Sequence, residues 1–437
     1  MGNFKIYPTK LEGEVKIPPS KSMAHRAVIC AALGEGVSKV TNIDYSDDII
    51  ATIDAMSSLG AKITRKEDYL EVYGIKSLEN EFNEQAKTER TIDCNESGST
   101  LRFLVPIASI FDGINRFVGR GNLGKRPLDT YYNIFDEQGI KYSYKEGILD
   151  LKTEGKLKSG EFKVKGNISS QFITGLLFTL PLLDGDSKII ITTEMESKGY
   201  IDLTLSAMRD FGIEIINNNY KEFIIKGNQI YKSREYRVEG DYSQAAFFLS
   251  ADALNNSVVV NDLKIDSLQG DKEVIDILER MGVILNNKDN GLIGETKEGL
   301  KSTIIDGSQC PDIIPVISLV AALSEGTTEI INAGRLRIKE CDRLAAVASE
   351  LNKLGAKITE KKDGLVITGV ASLKGGVDVW SHKDHRIAMT LAIASTVCEL
   401  PIVLKDYECV SKSYPEFWED FKSLGGRFEW VEFGEIN

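Results

Sequence analysis

The sequence predicts an α/β protein made of two pseudo-symmetric domains with a cleft between them. Its 437 residues are enough for two or three domains at about 150 residues per domain. The second observation is a joint of helix, glycine and strand that recurs six times along the chain. Its glycines lie 70 to 79 residues apart, at Gly60, Gly139, Gly212, Gly282, Gly355 and Gly425. This spacing predicts a repeated unit of about 70 residues.

Each copy of the joint reads in the same way. The copies are LGAKIT (Leu59–Thr64), QGIKYS (Gln138–Ser143), FGIEII (Phe211–Ile216), MGVILN (Met281–Asn286), LGAKIT (Leu354–Thr359) and LGGRFE (Leu424–Glu429). A glycine just past a helix end supplies the left-handed conformation that terminates the helix, and the run after it predicts a strand. Two or three such joints would be ordinary in an α/β protein, whereas six at nearly constant spacing indicate a repeat. We expect two helices and several strands in each unit, and three units in each domain.

The chain is expected to pass from one domain to the other near EGDYSQAAFFLSA (Glu239–Ala251), where a glycine turn opens an apolar helix. We therefore expect residues 21–239 to form an N-terminal three-repeat domain. Residues 1–20 and 240–437 are expected to form a C-terminal three-repeat domain.

Composition narrows the class of partner. The net charge of −12 argues against nucleic acid or an anionic membrane. No apolar run is long enough to cross a bilayer, the first residues do not resemble an export signal, and the six cysteines form no CxxC pair. We expect a soluble, cytoplasmic protein with reduced thiols and neither metal nor cofactor. If its ligand is an anion, the cations that bind it must be concentrated locally.

Basic residues do lie where helices are predicted to begin. PPSKSMAHRA predicts a helix from about Lys21 with Ser20 as its cap. Backbone N–H groups and the helix dipole favour anions at such an end. The candidate binding residues there are Lys21, Ser22 and Arg26. A solvated basic first turn would have the same pattern, so this segment alone leaves both interpretations open.

Two further segments of the first half combine glycine and arginine. NESGSTLRFL places Gly98 in a turn ahead of a helix that bears Arg102. GRGNLGKRPLDT places Arg126 on a glycine-rich loop, before a helix predicted to begin near Pro127. Arginine on such a loop can offer a bidentate fork to carboxylate or phosphate. A helix cap in the first segment and an exposed basic loop in the second are the alternatives.

Neutral donors open two more predicted helices. They are Ser169, Ser170 and Gln171 in GNISSQF, and Ser197 and Tyr200 in SKGYIDLT. A helix cap would account for one of these serines and does not readily account for three adjacent polar residues.

The second half carries four polar segments of the same kind. They are CPDIIP with Asp312, RLRIKECDR with Lys339, Glu340 and Arg343, DHRIAM with His385 and Arg386, and KSYPEF with Lys412. Asp312 and Glu340 stand among cations and are candidate proton-transfer groups. An N-cap role for Asp312 and a solvated helix face for the segment Arg335–Arg343 are the alternatives. Helix N-termini from both domains would converge on the cleft, where we expect one or two small molecules with several phosphates and carboxylates.

These motifs, in this order, resemble the enolpyruvyl transferase family from Lys21 to Lys412. The matching patterns are PSKSxxxR, RP after a glycine-rich loop, SSQF, SxxYIDxT, RxKExDR, DHRxAM and KSYP. The resemblance implies two domains of three βαβαββ units each, arranged as inside-out α/β barrels. It implies transfer of the enolpyruvyl group of phosphoenolpyruvate to the 5-hydroxyl of shikimate 3-phosphate, with release of phosphate, in aromatic amino acid biosynthesis. The reaction would proceed by addition and elimination through a tetrahedral intermediate, in a monomer, with no metal.

The resemblance also implies roles for individual residues. Shikimate 3-phosphate would be held by Lys21, Ser22, Arg26, Ser169, Ser170, Gln171, Ser197, Tyr200, Asp312 and Lys339. Phosphoenolpyruvate would be held by Lys21, Gly98, Arg126, Gln171, Glu340, Arg343, His385, Arg386 and Lys412. Asp312 would take the proton of the 5-hydroxyl, while Glu340 and Lys21 would transfer protons at the enolpyruvyl carbon.

Two departures and two alternatives accompany this assignment. Glu96 stands where the family often has asparagine, and a carboxylate beside a bound anion is unfavourable unless it points away or pairs with a cation. Gly98 is kept, so sensitivity to glyphosate is expected. The second departure is Arg335, where the family can carry asparagine, and Arg335 therefore receives no role. The first alternative is the family branch that acts on UDP-N-acetylglucosamine, which normally has a cysteine on a loop of the first half that this chain lacks. The second is a non-catalytic anion-binding homologue.

Overall fold

A computed structural model describes residues 2–75, 89–288 and 291–431. The chain divides into two compact units. We call residues 19–239 the continuous unit, and residues 1–18 together with 240–437 the split unit. Across the described ranges, no helix combines the length and apolar character that a membrane crossing requires.

In the continuous unit, the helices within the described ranges come in three pairs. They are α1 (Lys21–Ala32) and α2 (Asp47–Ser58), α3 (Gly98–Ala108) and α4 (Asp129–Gln138), and α5 (Ser170–Thr179) and α6 (Lys198–Asp210). Its strands are β3 (Val37–Thr41), β4 (Lys62–Arg65), β5 (Tyr69–Tyr73), β6 (Arg90–Asp93), β7 (Ile114–Val118), β8 (Lys141–Ser143), β9 (Asp150–Glu154), β10 (Glu161–Val164), β11 (Ser187–Ile191), β12 (Ile215–Asn218), β13 (Glu222–Ile225) and β14 (Glu235–Arg237).

The split unit repeats this arrangement. Its helices are α7 (Tyr242–Ala253) and α8 (Glu273–Arg280), α9 (Ile314–Ala322) and α10 (Arg343–Lys353), and α11 (His385–Ser395) and α12 (Phe417–Ser423). Its strands are β1 (Asn3–Tyr7), β2 (Glu12–Lys16), β15 (Ser257–Asn261), β16 (Val283–Lys288), β17 (Gly291–Thr296), β18 (Ile304–Asp306), β19 (Thr327–Ile331), β20 (Lys357–Lys361), β21 (Gly364–Thr368), β22 (Asp378–Trp380), β23 (Ile402–Lys405) and β24 (Arg427–Val431).

Six four-stranded sheets share one topology. In the continuous unit the strand orders are β14-β3-β5-β4, β6-β7-β9-β8 and β10-β11-β13-β12. In the split unit they are β2-β15-β17-β16, β18-β19-β21-β20 and β22-β23-β1-β24. In every sheet the first two strands are parallel and the other neighbours are antiparallel.

The first helix of each repeat is the interior element of its unit. Nine of the ten residues of α5 and all nine of α9 are buried. A helix that is apolar all round must be covered on every side, and α3 packs on α5 while α9 packs on α7 and α11. The first helix of each repeat thus lies inside and the sheets lie outside, which confirms the predicted fold class.

The repeated glycines end the second helix of every repeat as predicted. All six adopt positive φ, from +69° at Gly139 to +108° at Gly60. A side chain is disfavoured in this conformation, so glycine allows the chain to leave the helix and enter the next strand. Strands β4, β8, β12, β16, β20 and β24 follow directly.

Two strands are exchanged where the chain passes between units. β2 precedes α1 in sequence but pairs in parallel with β15, at Ser257 opposite Glu12. β14 precedes α7 but pairs in parallel with β3, at Glu235 opposite Lys39. Each exchange supplies the edge strand that the first repeat of the unit would otherwise lack. Pro19 and Ser20 belong to the continuous unit, so its boundary lies two residues before the one expected.

Candidate active site

Capped N-termini of two interior helices carry six of the predicted residues of the continuous unit, namely Lys21, Ser22, Arg26, Ser169, Ser170 and Gln171. α1 begins at Lys21, and the Oγ of Ser20 accepts a hydrogen bond from the N–H of Met23 at 3.4 Å. α5 begins at Ser170, with Ser169 as the cap that accepts from the N–H of Gln171 at 3.3 Å. The cap thus explains one of the three polar residues and leaves Ser170 and Gln171 on the first turn.

The two cations of α1 are held by different neighbours. Lys21 Nζ lies 3.0 Å from the Oδ2 of Asp48 on α2. Arg26 is 2% exposed and donates to the Oγ1 of Thr204 at 2.9 Å and to the carbonyl oxygen of Tyr200 at 2.8 Å, both on α6. Burial lowers the pKa of Arg26 to about 10, because hydroxyl and carbonyl oxygens do not repay the loss of hydration as a carboxylate would.

A second set of contacts joins α3, α5 and the glycine-rich loop. Arg102 on α3 donates to the Oε1 of Gln171 at 2.9 Å and to the carbonyl oxygen of Pro127 at 3.3 Å. The side chain of Arg126 passes so close to Gly98 that a Cβ there would lie 2.2 Å from its Nη1. Glycine at 98 therefore makes room for the guanidinium group at the start of the helix.

The loop residues that raised doubts also have definite positions. Glu96 packs its carboxyl group against the backbone of Gly121, where a Cβ would lie 2.7 Å from its Cδ. Gly121 has φ of +58° in the loop that carries Arg126. Ser197 has φ of +54° and makes no capping bond at the start of α6, so its buried hydroxyl is not used by the helix end.

Three helices begin two residues after a residue that sequence patterns associate with a helix start. α4 begins at Asp129, two residues after Pro127, and α12 begins at Phe417, two residues after Pro415. Residue Ile313, rather than Asp312, occupies the cap position of α9. Asp312 is therefore available for other contacts than those of an N-cap.

In the split unit a buried arginine binds three carboxylates. Arg343, 2% exposed, lies 2.7 Å from an oxygen of each of Asp312, Glu340 and Asp384. Burial opposes its charge, but Asp384, Glu340 and Asp312 together raise the pKa of Arg343 well above its ordinary value. Both predicted proton-transfer groups are thereby fixed by one side chain.

Two more cations and another carboxyl group surround Asp312. Lys339 Nζ lies 3.4 Å from its Oδ1, and Arg386 Nη2 lies 3.7 Å from its Oδ2. Desolvation lowers the pKa of the Lys339 ammonium group. Asp271 is hydrogen-bonded by Ser243, and burial together with the charge of Asp312 raises its pKa to about 6.

The remaining predicted residues lie at or near the start of α11. His385, 1% exposed, is the first residue of that helix, and Arg386 is the second. Lys412 ends a short 3-10 helix and donates to the carbonyl oxygen of Lys383 at 3.2 Å. Arg335 donates to the carbonyl oxygen of Ser308 at 2.5 Å. Within the described ranges, no group of three or more His, Cys, Asp or Glu side chains could hold a metal ion.

Sequence reasoning missed two residues that organise these clusters, Asp48 and Asp384, and gave no role to a third, Arg102. Asp48 binds Lys21, Arg102 binds Gln171, and Asp384 binds Arg343 while capping α11. Asp48 and Asp384 each stand just before or within the first turn of a helix, a placement that capping explains equally well from sequence. The cations that they bind lie 27 and 41 residues away in the chain, so no local pattern connects them.

Comparison with known proteins identifies the family. Two α/β units of three repeats each, with buried cations at the starts of interior helices, define the class of fold. The family model described as EPSP synthase (3-phosphoshikimate 1-carboxyvinyltransferase) matches residues 6–421. The chain therefore belongs to the EPSP synthase family, and the enolpyruvyl transferase resemblance is confirmed.

Individual relatives agree with this family. The chain is 83% identical over 435 residues to the 3-phosphoshikimate 1-carboxyvinyltransferase of Clostridium beijerinckii, covering 100% of both chains. It is 70% identical to that of Clostridioides difficile, covering 98% of this chain and 99% of the relative. A solved EPSP synthase structure from Acinetobacter baumannii shares the fold, with a TM-score of 0.79 and 24% identity over 99% of this chain and 100% of the other. The findings support the 3-phosphoshikimate branch and not the UDP-sugar branch.

Proposed function

We propose that this chain joins the enolpyruvyl group of phosphoenolpyruvate to the 5-hydroxyl of shikimate 3-phosphate and releases phosphate. The observation that carries the proposal is the fixation of Asp312 and Glu340 by buried Arg343, at 2.7 Å each. The reaction moves protons at the 5-hydroxyl and at C3 of phosphoenolpyruvate, so its acid and base groups must stand in defined positions. One guanidinium group holds two of these groups.

The continuous unit supplies most of the affinity for shikimate 3-phosphate. The binding residues are Lys21, Ser22, Arg26, Ser169, Ser170, Gln171, Ser197 and Tyr200, with Asp312 and Lys339 from the split unit. Arg26 supports this role because its buried charge is met by neutral oxygens. A phosphate or carboxylate would complete its electrostatic environment.

A second, overlapping set of residues is proposed to hold phosphoenolpyruvate. The binding residues are Lys21, Gly98, Arg126, Gln171, Glu340, Arg343, His385, Arg386 and Lys412. Gly98 lets Arg126 approach the N-terminus of α3, where backbone N–H groups also favour an anion. These cations stabilise the charge that develops on the departing phosphate.

The chemistry is an addition followed by an elimination. Asp312 takes the proton of the 5-hydroxyl, whose oxygen bonds to C2 of phosphoenolpyruvate while a proton is added at C3 by Lys21 or Glu340. Loss of a proton from C3 to the same pair then restores the double bond as the bond to phosphate breaks. In the cluster around Arg343, Asp312 also lies beside the cations of Lys339 and Arg386.

The enzyme is further proposed to act as a monomer in the cytoplasm. Its net charge of −12 favours small-molecule substrates over nucleic acid. Light scattering coupled to size-exclusion chromatography should give one mass near 48.3 kDa.

Phosphate release from phosphoenolpyruvate tests the function directly. We expect release with shikimate 3-phosphate and none with UDP-N-acetylglucosamine. The Asp312→Asn variant serves as the control for a contaminating activity, because it should abolish the signal without changing the fold. Release only with the UDP-sugar would reassign the substrate, and silence with both substrates would overturn the proposal.

A further inference from the structure

A buried chain of hydrogen bonds lies behind the Lys21 end of the continuous unit. It runs from His25 on α1 to Thr52 on α2, then to Thr100 on α3 and to the Ser97 cap of that helix. The joined atoms are Nδ1 and Oγ1 at 2.7 Å, the two threonine Oγ1 atoms at 2.7 Å, and Thr100 Oγ1 and Ser97 Oγ at 2.8 Å. Each of these four side chains is at most 1% exposed.

The geometry gives the chain a direction. Thr100 donates its hydroxyl proton to Ser97, so Thr52 must donate to Thr100, and Thr52 must accept from His25. His25 is then a neutral imidazole with its proton on Nδ1. Burial and the nearby charges of Lys21 and Arg26 support this state, because they lower the pKa of His25 well below its usual value. The other options for the hydroxyls, to the carbonyl oxygen of Asp48, are longer at 3.4 and 3.5 Å.

The chain connects the groups that surround one substrate. Lys21 is tied to the carboxylate of Asp48, and Asp48 lies one helical turn before Thr52 on α2. At the other end, Ser97 precedes Gly98, against which Arg126 packs. A shift of any member would therefore move Lys21 relative to Gly98 and Arg126.

Arg26 is anchored independently of this chain. Its partners are Thr204 and the carbonyl oxygens of Tyr200 and Ser22, of which the first two lie on α6. Among the proposed contacts to shikimate 3-phosphate, disturbance of the hydrogen-bond chain should thus reach Lys21 and leave Arg26 in place. The KM for phosphoenolpyruvate should therefore respond more strongly than the KM for shikimate 3-phosphate.

We propose that His25, Thr52 and Thr100 are positioning residues for phosphoenolpyruvate, and that their hydrogen-bond chain holds Lys21 in register with the Gly98 turn. This inference rests on the proposed function for its choice of substrate. The chain itself can be tested without any substrate.

The kinetic test compares Thr52→Val with Thr52→Ser. We expect Thr52→Val to raise the KM for phosphoenolpyruvate about tenfold, the effect of one lost hydrogen bond, and to leave the KM for shikimate 3-phosphate within about twofold. Thr52→Ser keeps the hydroxyl and should restore most of the affinity. Thr179→Val removes another buried hydroxyl, bonded to the carbonyl oxygen of Gly175 at 2.8 Å, and should change neither KM. An unchanged KM for phosphoenolpyruvate, or equal increases for both substrates, would overturn the proposal.

The spectroscopic test uses the complete protein without substrates. The protein has three histidines, so long-range ¹H–¹⁵N correlation spectra of histidine-labelled protein can be assigned with a His25→Asn variant. We expect His25 with its proton on Nδ1, and a shift of that nitrogen signal in Thr52→Val, or in Thr100→Val if the first variant does not fold. A proton on Nε2 would overturn the proposed hydrogen-bond chain. Inactivity with both substrate pairs but the expected spectrum would contradict the proposed function and still support the hydrogen-bond chain.

Discussion

Arg26 and Arg343 are equally buried and yet are held in opposite ways. Each is 2% exposed, but Arg26 is surrounded by hydroxyl and carbonyl oxygens, whereas Arg343 lies against three carboxylates. The pKa of Arg26 is lowered by burial and that of Arg343 is raised by Asp384, Glu340 and Asp312 despite burial. The difference contrasts a buried arginine whose hydrogen-bond partners are neutral with one whose partners are three carboxylates.

The largest effect on activity should come from Asp312, one of the three carboxylates that Arg343 binds. Asp312→Asn removes the base for the 5-hydroxyl proton while keeping the shape of the side chain. We expect kcat to fall by about 1,000-fold, within the usual range for general-base catalysis, and calorimetry to show a much smaller change in affinity for shikimate 3-phosphate, because the other proposed contacts to that substrate remain. Loss of that affinity with turnover intact would place Asp312 in binding instead.

Removal of Arg343 should damage folding more than binding. Arg343→Met leaves Asp312, Glu340 and Asp384 without their shared cation, and uncompensated buried charge typically costs about 3–5 kcal/mol. Urea titration monitored by fluorescence should show this loss in the free energy of unfolding. A stability equal to that of the unmodified chain would mean that the three carboxylates do not depend on Arg343.

Arg26→Met should show the reverse pattern. We expect the free energy of unfolding of the substrate-free protein to change by only about 1 kcal/mol, since the partners of Arg26 are neutral hydroxyl and carbonyl groups that can bond to each other. Affinity for shikimate 3-phosphate should weaken by about 10- to 100-fold, the value of charge-assisted hydrogen bonds to one guanidinium group. If Arg26→Met and Arg343→Met destabilised the protein equally, the contrast between the two arginines would fail.

Gly98→Ala should weaken phosphoenolpyruvate binding through Arg126. The added Cβ would stand 2.2 Å from Arg126 Nη1, so the guanidinium group must move, and we expect the KM for phosphoenolpyruvate to rise about tenfold. A double-mutant cycle with Arg126→Met provides the control. Undiminished effects of Gly98→Ala in the Arg126→Met background would show that the methyl group acts elsewhere.

The smallest expected effect is a pH dependence of the free energy of unfolding, which comes from Asp271 in the split unit. Asp271 keeps its proton to about pH 6 in the folded protein but ionises near pH 4 in an unfolded chain. The unfolded state therefore binds fewer protons in this window, and the free energy of unfolding should fall as pH rises, by about 1 kcal/mol per pH unit. Denaturant titrations from pH 4 to 6 should show this slope in the unmodified chain and a flatter one in Asp271→Asn. Equal slopes would assign the pH dependence to other groups.

Much of the fold could be predicted because it follows from local rules. The glycines from Gly60 to Gly425 end helices through their own backbone conformation, and Ser20 and Ser169 cap helices through bonds to residues two or three positions away. The prolines were less informative. Pro127 and Pro415 each precede their helix by two residues, because proline favours several positions at a helix entry.

The candidate site was predictable only as a set of residue types at helix starts. The patterns placed Lys21, Arg26, Arg343 and Arg386 correctly at or near these starts. They did not identify Asp48 or Asp384, because aspartates at these positions are also typical of ordinary caps, and they gave no role to Arg102. The assignment of each substrate contact remains a prediction that the variants above test.

The sequence by itself determined the six repeats, their helix ends and the local concentration of cations in an acidic chain, because these depend on residues that are close together along the backbone. Only the tertiary structure decided which partner each buried cation has. Arg26 meets Thr204 across 178 positions of the chain, and Arg343 meets Asp384 across 41. Such partners are set by which helices pack side by side and by the direction of long side chains between them, and the cost of burying the charge of an arginine then depends on whether those partners are neutral or anionic.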